Sequence, residues 1–249
     1  SAGAFSGTSD FTLSMWIWLT DLREDEVLAS WRTVSETWSL RVVGSQLTLV
    51  GDGAAHVVGQ RIRERTWTFV GVAHGAARAL HGAGTTVFAS VWGRTGGPFM
   101  SGSIEADLRP GEPRLWLGAL PGGQGQLDGR IAGVRIHRYA LDVVELMNVM
   151  NGVGAAADAE WDLADRSEPD CAPSLRGAAG ELVLFHAPMR SNDGPPPLES
   201  SGRAVCGEGS LHFHRDDTED CGWPVVLRLD VPSTTPAGIY SLRLASGPE

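Results

Sequence analysis

Apolar and polar residues alternate along much of the first half of the chain, and that two-residue period predicts β-strands. In residues 11–20 (FTLSMWIWLT), Phe11, Leu13, Met15, Ile17 and Leu19 share one face and Trp16 and Trp18 the other. Large apolar groups on both faces predict a strand covered on both sides, as in the middle of a sandwich. Residues 26–32 (EVLASWR), 37–43 (TWSLRVV) and 46–50 (QLTLV) read as the next strands. Gly44-Ser45 turns between the last two, and Gly51-Asp52-Gly53 ends that hairpin. Residues 66–73 (TWTFVGVA) set Trp67, Phe69 and Gly71 against Thr68, Val70 and Val72; residues 85–92 (TTVFASVW) and 114–118 (RLWLG) continue the series.

The period changes within residues 129–152. Ala132, Val134 and Ile136 first alternate with Gly133, Arg135 and His137, which predicts a strand with one buried face. Asp142 and Glu145 then stand in capping-box spacing, and Leu141 and Leu146 in the spacing of a hydrophobic staple. Val143, Val144, Leu146, Met147 and Met150 form an apolar stripe that Asn151-Gly152 terminates. One short helix near 142–151 in a chain of strands predicts an all-β sandwich. Beyond it, residues 155–170 are small and then acidic, 189–209 form a Pro/Gly-rich connection, and 210–249 read as a small β extension.

Composition narrows the partners. A chain of 249 residues can bury one large β core, or one core and a smaller companion, and 32 Gly with 14 Pro suit a turn-rich fold. A net charge of −10 disfavours nucleic acid and anionic membranes, and no apolar run has the length of a membrane span. All 20 basic residues are arginine, a bias expected of a GC-rich genome. Cys171, Cys206 and Cys221 are odd in number and form no CxxC, so reduced thiols and a cytoplasmic location are expected, with one disulfide plus a spare thiol as the alternative. No basic leader with an apolar core opens the chain. Ser1-Ala2-Gly3 reads as a remnant and Gly247-Pro248-Glu249 as an abrupt end, so a piece of a longer protein is expected.

Two resemblances add to this reading. Residues 126–146 (QLDGRIAGVRIHRYALDVVEL) resemble the last strand and following turn of the laminin G-like, concanavalin A-like jelly rolls. Residues 11–16 (FTLSMW) and 64–70 (ERTWTFV) resemble that family's opening and central strands, in the same order. Residues 159–163 (AEWDL) and 175–184 resemble its usual first segment, displaced to the far end. The resemblance implies a jelly roll over residues 1–188, in which 159–188 fold back to supply the missing first strands; the alternative is that they open a second domain. The fold hosts lectins, glycosidases and passive modules alike and does not select among them.

The second resemblance lies in residues 185–190 (FHAPMR), 210–223 (SLHFHRDDTEDCGW), 227–232 (LRLDVP) and 236–244 (PAGIYSLRL). Together they are similar to the N-terminal, non-catalytic part of the N,N-dimethylformamidase large-subunit family. On that resemblance 210–249 would begin a second, Ig-like domain or cap the sandwich. The family's iron, held by tyrosines and a glutamate, would belong to a downstream domain. Tyr139 and Tyr240 sit in strand motifs and are not carried over as ligands.

Candidate chemistry is sparse. His212 and His214 project to one strand face and, with Asp216 or Asp217, have the donor types of a divalent-metal site; the plain alternative is a strand followed by a polar turn. Asp52 and Asp128 are candidates for calcium in loops, as in some laminin G-like domains, although Gly-flanked aspartates also suit turns. Trp31 and Trp92, beside loop residues, are candidates for stacking on sugar rings, whereas Trp16, Trp67, Trp116 and Trp223 read as core. Glu105 and Asp107 form an isolated acid pair, and neither a GxSxG elbow nor an HExxH occurs. The expected role is a non-catalytic accessory module of a larger dimethylformamidase-like amidohydrolase, packing on its catalytic domain or a second subunit. The alternatives are a carbohydrate-binding module and a metal-dependent hydrolase.

Overall fold

The computed structural model describes residues 10–22, 25–75, 84–91, 99–104, 106–111, 114–168, 171–176, 180–185, 188–195, 209–215, 228, 230–236, 238 and 240–241. Its strands run in the order β1 (Phe11–Leu19), β2 (Glu26–Arg32), β3 (Thr37–Val43), β4 (Gln46–Gly51), β5 (Ala54–Arg61), β6 (Thr68–Gly75), β7 (Gly84–Val91), β8 (Phe99–Ile104), β9 (Leu115–Leu117) and β10 (Gly129–His137). The helix α1 (Val143–Met150) follows, then β11 (Ala159–Trp161), β12 (Cys171–Ala172), β13 (Ser174–Arg176), β14 (Leu182–Val183), β15 (Met189–Ser191) and β16 (Ser210–Phe213). Among the described residues no helix is long and apolar enough to cross a membrane.

Two antiparallel sheets enclose the core. One is ordered β5-β4-β3-β2-β9; the other runs β13-β11-β10-β1-β6-β7-β8, with β16 also pairing β10 and β15 pairing β16. The inward row of β1, from Phe11 through Leu19, packs in one cluster with Leu28, Trp31, Trp38, Leu40, Leu47 and Leu49 of the other sheet. This arrangement is the sandwich that the alternating pattern predicts and the jelly roll that the laminin G-like resemblance implies. The Asp52-Gly53 turn has φ of 49° and 74°, the positive pair that a tight hairpin requires. The chain does not stop there: β5 extends the sheet, although Ala54–Arg61 (AAHVVGQR) carries little alternation.

The strand β10 and helix α1 form as their residues dictate. The Asp142 side chain accepts from the Glu145 N–H at 2.8 Å, and the Glu145 carboxylate accepts from the Asp142 N–H at 2.9 Å. Leu141 and Leu146 are both buried on the outer face of the nine-stranded sheet, with Trp16, Phe69 and Ala132. The single buried face expected of β10 needs correction. Ala132 shares a face with the helix, whereas Val134, Ile136 and Ile131 point into the sandwich. The register of β1 against β10 shifts between Ser14 and Trp16, opposite Gly133 at φ +56°. An extra residue in one strand reverses the in-out phase beyond it.

The outer edge of β10 is shared by two later segments. Arg135 and Ile136 pair with Glu160 and Ala159 of β11, while Gly129, Arg130 and Ile131 pair with Phe213, His212 and Leu211 of β16. Residues 159–161 thus return to the sheet that contains β1. Leu182 and Val183 do not; they pair with Ala172 and Cys171 in a separate two-stranded ribbon. The strands Met189–Ser191 and Ser210–Phe213 lie in the nine-stranded sheet, so its pairing continues past residue 188. Contacts divide the chain into Ser1–Asp217 and Thr218–Glu249, which places 210–213 in the first unit. In the second unit the Tyr240 hydroxyl donates to Pro236 O at 2.7 Å.

Candidate functional site

The pairing of β16 with β10 builds a cluster that neither segment holds alone. Arg130 stands opposite His212 and Gly129 opposite Phe213, so one step further along the ladder Asp128 reaches His214. Asp128, His212 and His214 are the one group of three metal-capable side chains among the described residues, with ligand atoms all within 4.8 Å of one another. The two imidazoles lie with centroids 4.0 Å apart and planes inclined by 43°. Trp18, opposite Arg130 on β1, presents its ring edge-on to His212 at 6.5 Å. The Arg130 guanidinium stacks over Trp18 at 4.7 Å and pairs with Asp193 at 3.0 Å.

Glu26 holds the two ligand-bearing segments together. It is fully buried on β2, in the opposite sheet. Its Oε2 accepts the Asp128 N–H at 2.8 Å, and its Oε1 forms an ion pair with the Arg215 guanidinium. Burial pushes the Glu26 carboxyl above its ordinary range, against the lowering effect of the Asp128 N–H and Arg215. The residue before β10 and the residue after His214 are therefore tied to one carboxylate.

The outer face of the five-stranded sheet is a second candidate surface. Trp116 of β9 is half-buried and lies opposite Ser30, which lies opposite Ser39; both serines are buried, and the Ser30 hydroxyl donates to Ala119 O at 2.8 Å. The Arg32 guanidinium sits 5.8 Å from the Trp116 ring centroid. The Arg41 Nε–H donates to Ser39 Oγ at 2.8 Å. The core position expected for Trp116 is thereby corrected; the alternation in residues 114–118 does not reveal which face points inward.

Trp31 is corrected as well. It is fully buried, packs edge-on against Phe11 at 5.8 Å and donates its Nε1–H to Leu108 O, so it offers no surface to a sugar. Trp92, Asp216, Asp217, Glu105 and Trp223 lie outside the described residues. Asp52 sits in the β4–β5 turn, 3.4 Å from His56 Nε2 and away from any three-ligand group among the described residues. Asp107 is held well below the usual carboxylate range, at about 2, chiefly by the Arg109 guanidinium. Cys206 and Cys221 are outside the described residues, and Cys171 is a free thiol. No sequence signal joined Asp128 to the two histidines, because only the register of β16 on β10 does so.

No family model matches the chain and no curated protein matches it. Solved structures do. A candidate carbohydrate-binding protein from Bacteroides ovatus superposes with a TM-score of 0.51 at 15% identity, over 68% of this chain and 51% of that one. The present chain thus spans about half the length of that protein. Domain 4 of an extracellular arabinanase from Geobacillus stearothermophilus, solved with arabinotriose, gives 0.43 at 16% identity over 59% and 69% of the two chains. Mouse laminin α1 domains LG4-5 give 0.38 at 13% identity over 56% and 38%. The architecture is a jelly-roll β-sandwich, a fold that the Bacteroides ovatus structure shares.

Proposed function

We propose that this chain is a non-catalytic binding module and that its ligand is carbohydrate, held on the outer face of the five-stranded sheet. The observation that carries the reading is Trp116, a half-buried indole with the exposed Arg32 guanidinium 5.8 Å from its ring centroid and with Arg41 farther along the same sheet face. A flat aromatic ring takes the C–H face of a sugar, and guanidinium groups on the same sheet face take the hydroxyls. The description of the Bacteroides ovatus structure as carbohydrate-binding supports the same ligand class. The accessory role beside an amidohydrolase rests on the resemblance in residues 185–244 alone, and the comparisons add nothing to it.

Calorimetric titration of the purified chain against neutral and acidic oligosaccharides tests this reading. Saturable binding is expected, weakened at least about tenfold by Trp116→Leu, which removes the flat ring but keeps apolar bulk under Arg32. Arg41→Ala is expected to weaken it too. Affinity unchanged in both variants, or no binding to any glycan class, refutes the proposal.

A further inference from the structure

The Asp128, His212 and His214 cluster is separate from the Trp116 face, and its chemistry is independent of the carbohydrate reading. We propose that these three side chains bind a divalent transition-metal ion of the zinc class, and that the ion fastens β16 to β10.

The donor set selects the ion. Two imidazole nitrogens and one carboxylate suit Zn²⁺, Co²⁺ or Ni²⁺, whereas Ca²⁺ needs six or more oxygens that this cluster does not supply. The spacing is close to what coordination requires. Ligand atoms now within 4.8 Å of one another need to close to about 3.3 Å for tetrahedral bonds of about 2.0–2.1 Å, a movement within reach of side-chain rotation. Three protein ligands leave at least one position open to water or an added ligand.

The surroundings favour assembly. His212 lies on β16 and His214 directly follows its last residue, and the two rings, with centroids 4.0 Å apart, leave the same side of the chain. Asp128 comes from the other side of the ladder, and its position is set by two backbone hydrogen bonds and by the adjoining strand pairing. Thr20 N–H donates to Asp128 O at 3.0 Å, the Asp128 N–H donates to Glu26, and the β10–β16 pairs begin at the next residue. Two guanidiniums border the cluster and would repel a cation if left uncompensated. Arg130 is paired with Asp193 and Arg215 with Glu26, so Asp128 is the carboxylate that faces the imidazoles. Trp18 walls one side with an apolar ring, which lowers the local dielectric and strengthens the attraction between ion and carboxylate.

Such an ion would have a structural consequence. β16 is a four-residue strand joined to β10 through three residue pairs, with β15 beyond it. A cross-strand metal bridge adds a bond between segments far apart in sequence, and its binding energy becomes folding energy for that edge.

The test uses the full chain without a polyhistidine tag, stripped with chelator, and Co²⁺ as a spectroscopic probe. One equivalent of Co²⁺ is expected to bind, with visible absorption that Zn²⁺ abolishes and millimolar Ca²⁺ leaves unchanged. His212→Ala and His214→Ala are each expected to lower affinity at least about tenfold, with a smaller loss in Asp128→Asn. Zn²⁺ should raise the melting temperature of the unsubstituted chain and not that of the double His variant. Imidazole ¹⁵N spectra of the unsubstituted chain give a measurement that no folding defect can confuse: two histidines should shift together at one equivalent of Zn²⁺. The proposal is overturned if the double variant binds Co²⁺ as tightly as the parent, if Ca²⁺ displaces Co²⁺ at equal concentration, or if no pair of imidazole signals moves.

Discussion

Leu146 decides whether the helix is an integral layer of the fold or a loosely attached ornament. The residue is fully buried with Trp16, Phe69 and Ala132, and a Cβ built on Gly71 would stand 3.2 Å from its Cδ2. Truncating a buried leucine to alanine costs about 2–5 kcal/mol, depending on how far the site collapses. The sheet side of this site is stiff, since Trp16 and Phe69 pack edge-to-face at 5.4 Å, but an eight-residue helix can settle inward. Leu146→Ala is therefore expected near the middle of the range, about 3 kcal/mol, which lowers the melting temperature by about 6–12 °C for a chain of this size. Val144→Ala on the same helix, at a side chain 64% exposed, should shift it by no more than about 2 °C. The assay is reversible thermal unfolding followed by circular dichroism. Gly71→Ala adds a methyl that crowds Leu146 in the parent and fills vacated space in Leu146→Ala. The double variant should thus lose less stability than the two single losses together, by about 1 kcal/mol. Equal melting of Leu146→Ala and Val144→Ala, or additive losses in the cycle, would refute the seating of α1 on β6.

Two further outcomes rest on burial. Trp31→Ala should destabilise the fold by about 3–5 kcal/mol and orphan the Leu108 carbonyl; a variant that melts like the parent yet loses sugar affinity would restore Trp31 as a ligand platform. His137 is fully buried, and burial holds its pKa below the ordinary 6.5, so the folded state resists its protonation. Its contribution to stability is therefore present above about pH 6.5 and lost as the pH falls from there through the lowered value. His74 is lowered by burial in the same sense, so the test is a difference: His137→Asn should flatten the fall in melting temperature between about pH 7.5 and 5.5, and parallel curves would contradict it.

Much of the fold was legible because its signals are short-range. The inward row of β1 follows from a two-residue period, and α1 from a capping box and staple contained within six residues. β5 and β8 were not legible: AAHVVGQR and FMSGSI hold too few large apolar residues at alternate positions, and become strands because β4 and β7 present edges to them. Trp31 and Trp116 show the same limit at the site. Both lie in alternating segments, and the register of β2 against β9 and β3, with a shift between Val27 and Ala29, turns one inward and the other out.

By itself the sequence determined the class of the fold, the single capped helix and the shared face of His212 and His214, since each depends on neighbours a few residues apart. The tertiary structure alone decided that Asp128 joins those histidines, that Ala132 faces the helix, and that segments after residue 188 complete the nine-stranded sheet. Each of these depends on strand register and on which edge remains open. Register is a property of two segments together, so neither segment carries it alone.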